Sequence, residues 1–212
     1  MTDAQSPVPA STVEHDTRVW LERAVIGLNL CPFAKSVHVK GQVHYAVSRA
    51  QSAEELLRDL TVELKNLVAL DASERDTSLL MAPDCMADFL DFNDFLAEAD
   101  EALVDLELDG ILQIASLHPD YQFAGTRPDD VTNFTNRSPY PTLHLLREDS
   151  IDRAVAAFPE AELFSSATCK PWSNSALRAG PRWAWGAANT NNDQAKTTTR
   201  SPWRGSSRAS GT

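Results

Sequence analysis

Residues 110–148 read GILQIASLHPDYQFAGTRPDDVTNFTNRSPYPTLHLLRE. Ile111-Leu112-Gln113-Ile114-Ala115-Ser116-Leu117 follows a glycine as a short apolar run, and Thr142-Leu143-His144-Leu145-Leu146 is a second one. Runs of this length, bounded by turn residues, read as strands. Residues 118–141 between them show little regular pattern. A connection that long inside a compact domain is usually functional or disordered. Tyr121, Phe123, Phe134 and Tyr140 give this one apolar anchors, which argues against disorder.

The same pattern extends to both sides. From Val13 the spacing is helical, with Trp20, Ala24, Val25 and Leu28 on one face, and Cys31-Pro32 should stop the helix. Val43, Tyr45 and Val47 alternate with polar or small residues as in a strand. Ser52 and Glu55 have capping-box spacing ahead of a leucine-rich helix. Ser78-Leu79-Leu80-Met81-Ala82 reads as a buried strand. Asp84 is the expected cap of a helix whose inner face is Phe89, Phe92, Leu96, Ala99 and Leu103. Ile151, Ala154, Val155 and Phe158 make a last short helix ended by Pro159. The order α-β-α-β-α-β-loop-β-α implies an α/β or α+β fold, a single layered domain of about four strands alternating with helices. The sheet can be parallel throughout or mixed, a ferredoxin-like arrangement being one option.

Composition divides the chain. Residues 1–164 carry 12 basic and 29 acidic residues, a net of −17, whereas residues 165–212 carry seven basic and one acidic, a net of +6. The later segment holds Trp172, Trp183, Trp185 and Trp203, four of the five tryptophans, and its one leucine is Leu177. It offers no periodic apolar face and is expected to be a disordered basic Trp/Ser/Arg-rich tail. Rare Trp amid Arg, Ser and Ala is also what a GC-rich gene yields out of frame. Back-translated and regrouped by one base, residues 166–185 permit RNMQTLEQLGPAGWAALG, which has helical spacing and a Gly-Pro stop. The expected organisation is a loose leader at 1–11, a domain at 12–164 and the tail at 165–212.

The 212 residues are 42% apolar and 23% charged, ordinary for a soluble globular protein. The net charge of −11 argues against broad affinity for nucleic acid or anionic membrane. No secretory signal or membrane-length apolar stretch is visible. The three cysteines, Cys31, Cys85 and Cys169, do not form a disulfide framework, so a cytoplasmic setting is expected.

Chemistry concentrates in residues 118–141. This loop leaves the C-terminal end of a strand, where open α/β sheets place ligands. It brings His118, Asp120, Tyr121, Asn133, Asn136, Arg137 and Ser138, and His144 and Arg147 follow on the next strand. Arg137, Asn136 and Ser138 could grip an anionic small molecule through a guanidinium fork and a hydroxyl. The competing reading is a loop pinned by Asx-turns and prolines. Cys31 lies at a helix end with Lys35 nearby to lower its pKa, and pairing with His118 or His144 would make it a nucleophile. The bland alternative is a small buried thiol. On the enzymatic reading the catalytic residues are Cys31, His118 and His144, and Lys35, Asp120, Tyr121, Asn133, Asn136, Arg137, Ser138 and Arg147 bind substrate. His118→Ala and Arg137→Ala should then leave folding nearly unchanged.

Five histidines without HxxxH or HxH spacing assign no metal site. No Gly-rich phosphate loop is present, and the sequence identifies no cofactor. Asp84, Asp88, Asp91, Asp94, Glu98, Glu101 and Asp105 recur at helical spacing and read as a solvated face, with a basic partner as the sharper alternative. A non-catalytic ligand-binding or protein-interaction module therefore stands beside the enzyme. Oligomeric state is not legible.

GLNLCPFAK at 27–35, LHPDYQFAG at 117–125 and NRSPYPTLHLLRE at 136–148 resemble a bacterial family catalogued as domain of unknown function 1415. The similarity spans about residues 15–163 and implies no reaction, substrate or cofactor. The printed tail departs from the family pattern, which the regrouped reading restores.

Overall fold

The leucines that decide the core come from the helix the capping box announces. A computed structural model describes residues 7–157. Ser52 Oγ accepts from Glu55 N, and the Glu55 carboxylate reaches back to Gln51 N rather than to the cap itself. Helix α3 (Ala53–Ala69) buries Leu56, Leu60, Leu64 and Leu67 along one stripe. Helix α4 (Phe89–Asp105) adds Phe92, Phe95, Ala99 and Leu103. Its cap is Asp88, whose carboxylate accepts from Leu90 N and Asp91 N. Asp84, the expected cap, pairs instead with Arg49 at 3.0 Å.

Strands β1 (Val43–Val47), β2 (Thr77–Met81), β3 (Leu112–Leu117) and β4 (Thr142–Arg147) form a sheet in the order β1-β2-β4-β3. β1 pairs parallel to β2, and β4 is antiparallel to both β2 and β3. Of the sheet types left open, the mixed one therefore forms. Its strand-helix order is β-α-β-α-β-β, not the β-α-β-β-α-β of a ferredoxin-like unit. One consequence governs the site: β1, β2 and β3 point the same way, so the connections leaving their C-terminal ends share one edge.

Alternation along the strands gives the sheet two apolar faces. Leu80, Leu112, Leu143 and Leu145 join the α3 and α4 side chains in the main core. Leu79, Met81 and Leu117 face the other way and pack with Val13 and Trp20 of helix α1 (Ala10–Trp20) and with Val43, Tyr45 and Val47. The described domain is thus helix, sheet and helix in layers. Helix α5 (Glu148–Ala157) follows β4 directly.

The first helix differs from its sequence reading. It starts at Ala10 rather than near Val13, and from Leu21 to Ile26 it widens into a π-helix. Gly27 N and Leu30 N then bond five residues back, to Glu22 O and Val25 O. A wider turn advances the phase by less than 100° per residue. Val13, Thr17, Leu21 and Val25 are buried at a strict spacing of four, the last step of which lies in the widened segment, while Leu28, expected on that face, is turned out to solvent. Helix α2 (Ala34–Val39), which the periodicity did not announce, follows the Cys31-Pro32 turn. The first six residues of the expected leader, Phe158 and Pro159, the domain end at 164, Cys169 and the tail at 165–212 lie outside the described residues.

Candidate functional site

The shared edge gathers three connections: 48–52 after β1, 82–88 after β2 and 118–141 after β3. The last is built from its own hydrogen bonds. Asn133 sits inside it at 0% exposure; its Oδ1 accepts from Phe123 N and Thr126 Oγ1, and its Nδ2 donates to Arg127 O. Asp130 caps a 3₁₀ turn (Val131–Thr135) by accepting from Thr132 N and Thr132 Oγ1, which holds its carboxyl below the usual range. Asn136 Nδ2 donates to Ser116 O of β3, and Ser138 Oγ donates to Tyr140 O. These are the Asx-turns and backbone ties of the pinned-loop reading.

Arg137 is part of the same scaffold. Its Nε donates to Tyr121 O at 3.1 Å and its Nη2 to Pro128 O at 2.8 Å, and its guanidinium lies over the Phe134 ring at 4.6 Å. The fork proposed for an anion is occupied by two carbonyls of the loop. Arg147 is likewise engaged, at the opposite edge: its Nη2 donates to Leu67 O, Leu70 O and Arg75 O, closing the end of α3. Arg147 therefore stands apart from the loop.

His118 is fully buried, with its ring 5.4 Å from that of Phe89 and 5.3 Å from that of Phe92. Asp120 N donates to Nδ1 at 3.0 Å, so Nδ1 is the acceptor nitrogen. The proton is then assigned to Nε2, which donates to Met86 O at 3.0 Å. Both nitrogens are committed to backbone, and the His118 amide and carbonyl bond Asn136 O and Ser138 N. This packing runs against the expectation that His118 can be removed with folding nearly unchanged. Tyr121, buried against Phe89 and Phe123, has its hydroxyl pKa pushed up to about 12 by burial, with Ser116 as a hydrogen-bond partner pulling the other way. Asp120 is exposed at the loop surface.

The cysteine hypothesis fares differently at each residue. Cys31 is half-buried in the turn after the π-helix, and burial raises its thiol pKa; the Phe33 and Ala34 amides oppose this. The lowering expected from Lys35 is not the governing influence, and Lys35 itself is exposed. Among the described residues neither His118 nor His144 hydrogen-bonds Cys31. His144 lies in β4 opposite Leu79 and Ala115, on the sheet face toward α1, and burial pulls its pKa down to about 4. A thiol held protonated without a bonded base is a poor nucleophile. Cys85, to which the sequence reading gave no role at a site, lies on the shared edge with its pKa raised to about 11 by burial and by Asp84, Glu55 and Asp59.

Sequence reasoning also missed Met86, whose φ of 59° is a left-handed conformation rare for a side-chain-bearing residue. No residue pattern in PDCMAD announces it, and its carbonyl is the partner of His118 Nε2. The Asp130-Val131-Thr132 turn, by contrast, carried a readable Asx signal. Among the described residues no three His, Cys, Asp or Glu side chains converge to hold a metal ion, and no helix is long and apolar enough to cross a membrane.

The loop turns outward two large apolar side chains beside the charged Asp120 and the exposed Arg127–Asp129 ion pair. Val131 is 68% exposed and Phe134 53% exposed. They stand three residues apart on the 3₁₀ turn, where such side chains eclipse on one face. No curated protein and no solved structure matches the chain. Residues 12–170 match the family described as protein of unknown function, DUF1415, so the chain belongs to that family.

Proposed function

We propose that the chain is a non-catalytic cytoplasmic binding module that offers the outer surface of the 118–141 loop to a protein partner. One observation carries this reading: the polar side chains best suited to chemistry, His118, Asn133, Asn136 and Arg137, are spent on the backbone of their own loop. The loop leaves to a partner the exposed pair Val131 and Phe134, with Arg137 backing the Phe134 ring, and beside them the exposed Arg127 and Asp129. Exposed aromatic side chains beside arginine, held on a preorganised turn, are typical of binding hot spots. The net charge of −11 favours a partner other than nucleic acid.

The test places a photo-crosslinking residue at position 131 of the full chain in the native cells. A discrete protein adduct that Phe134→Asp abolishes supports the reading. No adduct at comparable expression sinks it. The enzymatic reading, with an anionic small molecule held by Asn136, Arg137 and Ser138, makes the opposite forecast. It requires phosphate or a dicarboxylate to raise Tm saturably in the wild type and not in Arg137→Gln.

A further inference from the structure

A second polar cluster lies far from the loop, beneath α3. Glu63 of α3 directs Oε2 to within 3.6 Å of Arg75 Nη1 and 3.7 Å of His44 Nε2 of β1. Charged hydrogen bonds close to about 2.8 Å, so neither contact is a direct bond. Glu63 Oε2 and Arg75 Nη1 are nonetheless buried without a hydrogen-bond partner, and so is Ser78 Oγ of β2. Ser78 is 0% exposed and stands in register with His44 on the neighbouring strand. It alternates with Leu80, whose side chain lies in the core beneath α3, so Ser78 faces the same layer.

Glu63, Arg75 and His44 thus approach one another without a direct hydrogen bond, and Ser78 faces the same layer from the strand beside His44. Leaving such atoms dry is costly, and polar contacts beyond 3.5 Å commonly enclose a water. The chemistry selects the occupant. Arg75 Nη1 only donates and Glu63 Oε2 only accepts, so a molecule bridging them must both accept and donate. Chloride would face the Glu63 carboxylate, and a metal cation would face the Arg75 guanidinium. We propose that Arg75, Glu63, Ser78 and His44 form a built water site, open to solvent on the His44 side, that fastens edge strand β1 and strand β2 to α3. The water accepts from Arg75 Nη1 and donates to Glu63 Oε2, and Ser78 and His44 supply its remaining partners. Arg75 is already held from behind, since its carbonyl accepts from Arg147 Nε and Nη2.

Two variants of the full chain separate a wet site from a dry one. In a dry space under a helix, Ser78→Val adds apolar contacts with a strand-favouring residue and raises Tm above Ser78→Ala. In a hydrated site valine takes the place of the water and strands Arg75 and Glu63. The expected result is that Ser78→Val melts below Ser78→Ala by about 2–4 °C or more, and equal or reversed order overturns the proposal. A crystal structure of the wild-type full chain gives an independent reading. Density for a water within hydrogen-bond reach of both Arg75 Nη1 and Glu63 Oε2 is expected; an empty space or a direct Arg75–Glu63 bond refutes it.

Discussion

His118 Nε2 lies 3.0 Å from the carbonyl oxygen of Met86, a residue held at φ 59° just before the cap of α4. The histidine ring therefore does two jobs at once. It fills the space between Phe89 and Phe92, and it satisfies the carbonyl of a strained residue in the neighbouring connection. His118→Ala leaves a cavity and two unpaired backbone groups, Met86 O and Asp120 N. The expected loss is about 3 kcal/mol or more, read from urea unfolding as a lower midpoint. A variant as stable as the wild type would return His118 to the list of acid-base candidates.

Asn133 is the equivalent anchor of the loop. Asn133→Asp keeps the shape but replaces the Nδ2 donor with an oxygen facing Arg127 O. Repulsion and the lost bond should cost about 2 kcal/mol. The local readout is limited proteolysis: cleavage within 118–141 should accelerate before global unfolding does. Uniform protease resistance would mean that the loop is held chiefly by Tyr121 and Phe123.

These two residues show what the sequence could and could not disclose. The strands were legible because Val43, Tyr45 and Val47 alternate and because Leu143 and Leu145 lie in a run too short for a helix. The candidate loop was legible as a place, from its length and its position after β3. The duties of its side chains were not. An Arg beside Asn and Ser satisfies an anion or a pair of carbonyls equally well, and only the folded path of residues 121–128 decides between them. Strand order was hidden for a similar reason: inserting β4 between β2 and β3 depends on the long connection, which carries no periodicity.

Gly27 marks the exit from the π-helix, and a Cβ there would lie 2.3 Å from Arg23 O. The widened turn brings that carbonyl in, so the obstacle is backbone and cannot swing aside. Gly41 provides the contrast: its φ is +71° but nothing lies within 4 Å of the added Cβ. Gly41→Ala should cost about 1 kcal/mol through conformation alone. Gly27→Ala should cost more, about 2–3 kcal/mol, and weaken helical circular dichroism as the turn reopens. Equal costs would show that the π-turn relaxes without resistance.

His144 supplies a pH dependence whose sign follows from its surroundings. Burial lowers its pKa from 6.5 to about 4, so the folded state resists a proton that the unfolded chain accepts. Stability from this group is fully present above about pH 6.5 and is lost as pH falls toward 4. His44 acts in the same direction, its pKa lowered by burial and by Arg75 against the opposing Glu63 and Glu14. Because the His144 side chain is only half-buried, water screens part of the penalty. A contribution on the order of 1 kcal/mol between pH 6.5 and 5 is reasonable. The measurement is the difference in unfolding free energy between wild type and His144→Gln across that range, which removes the carboxylates common to both. The wild type should lose more stability on acidification, and parallel curves would mean that His144 takes up its proton freely in the folded protein.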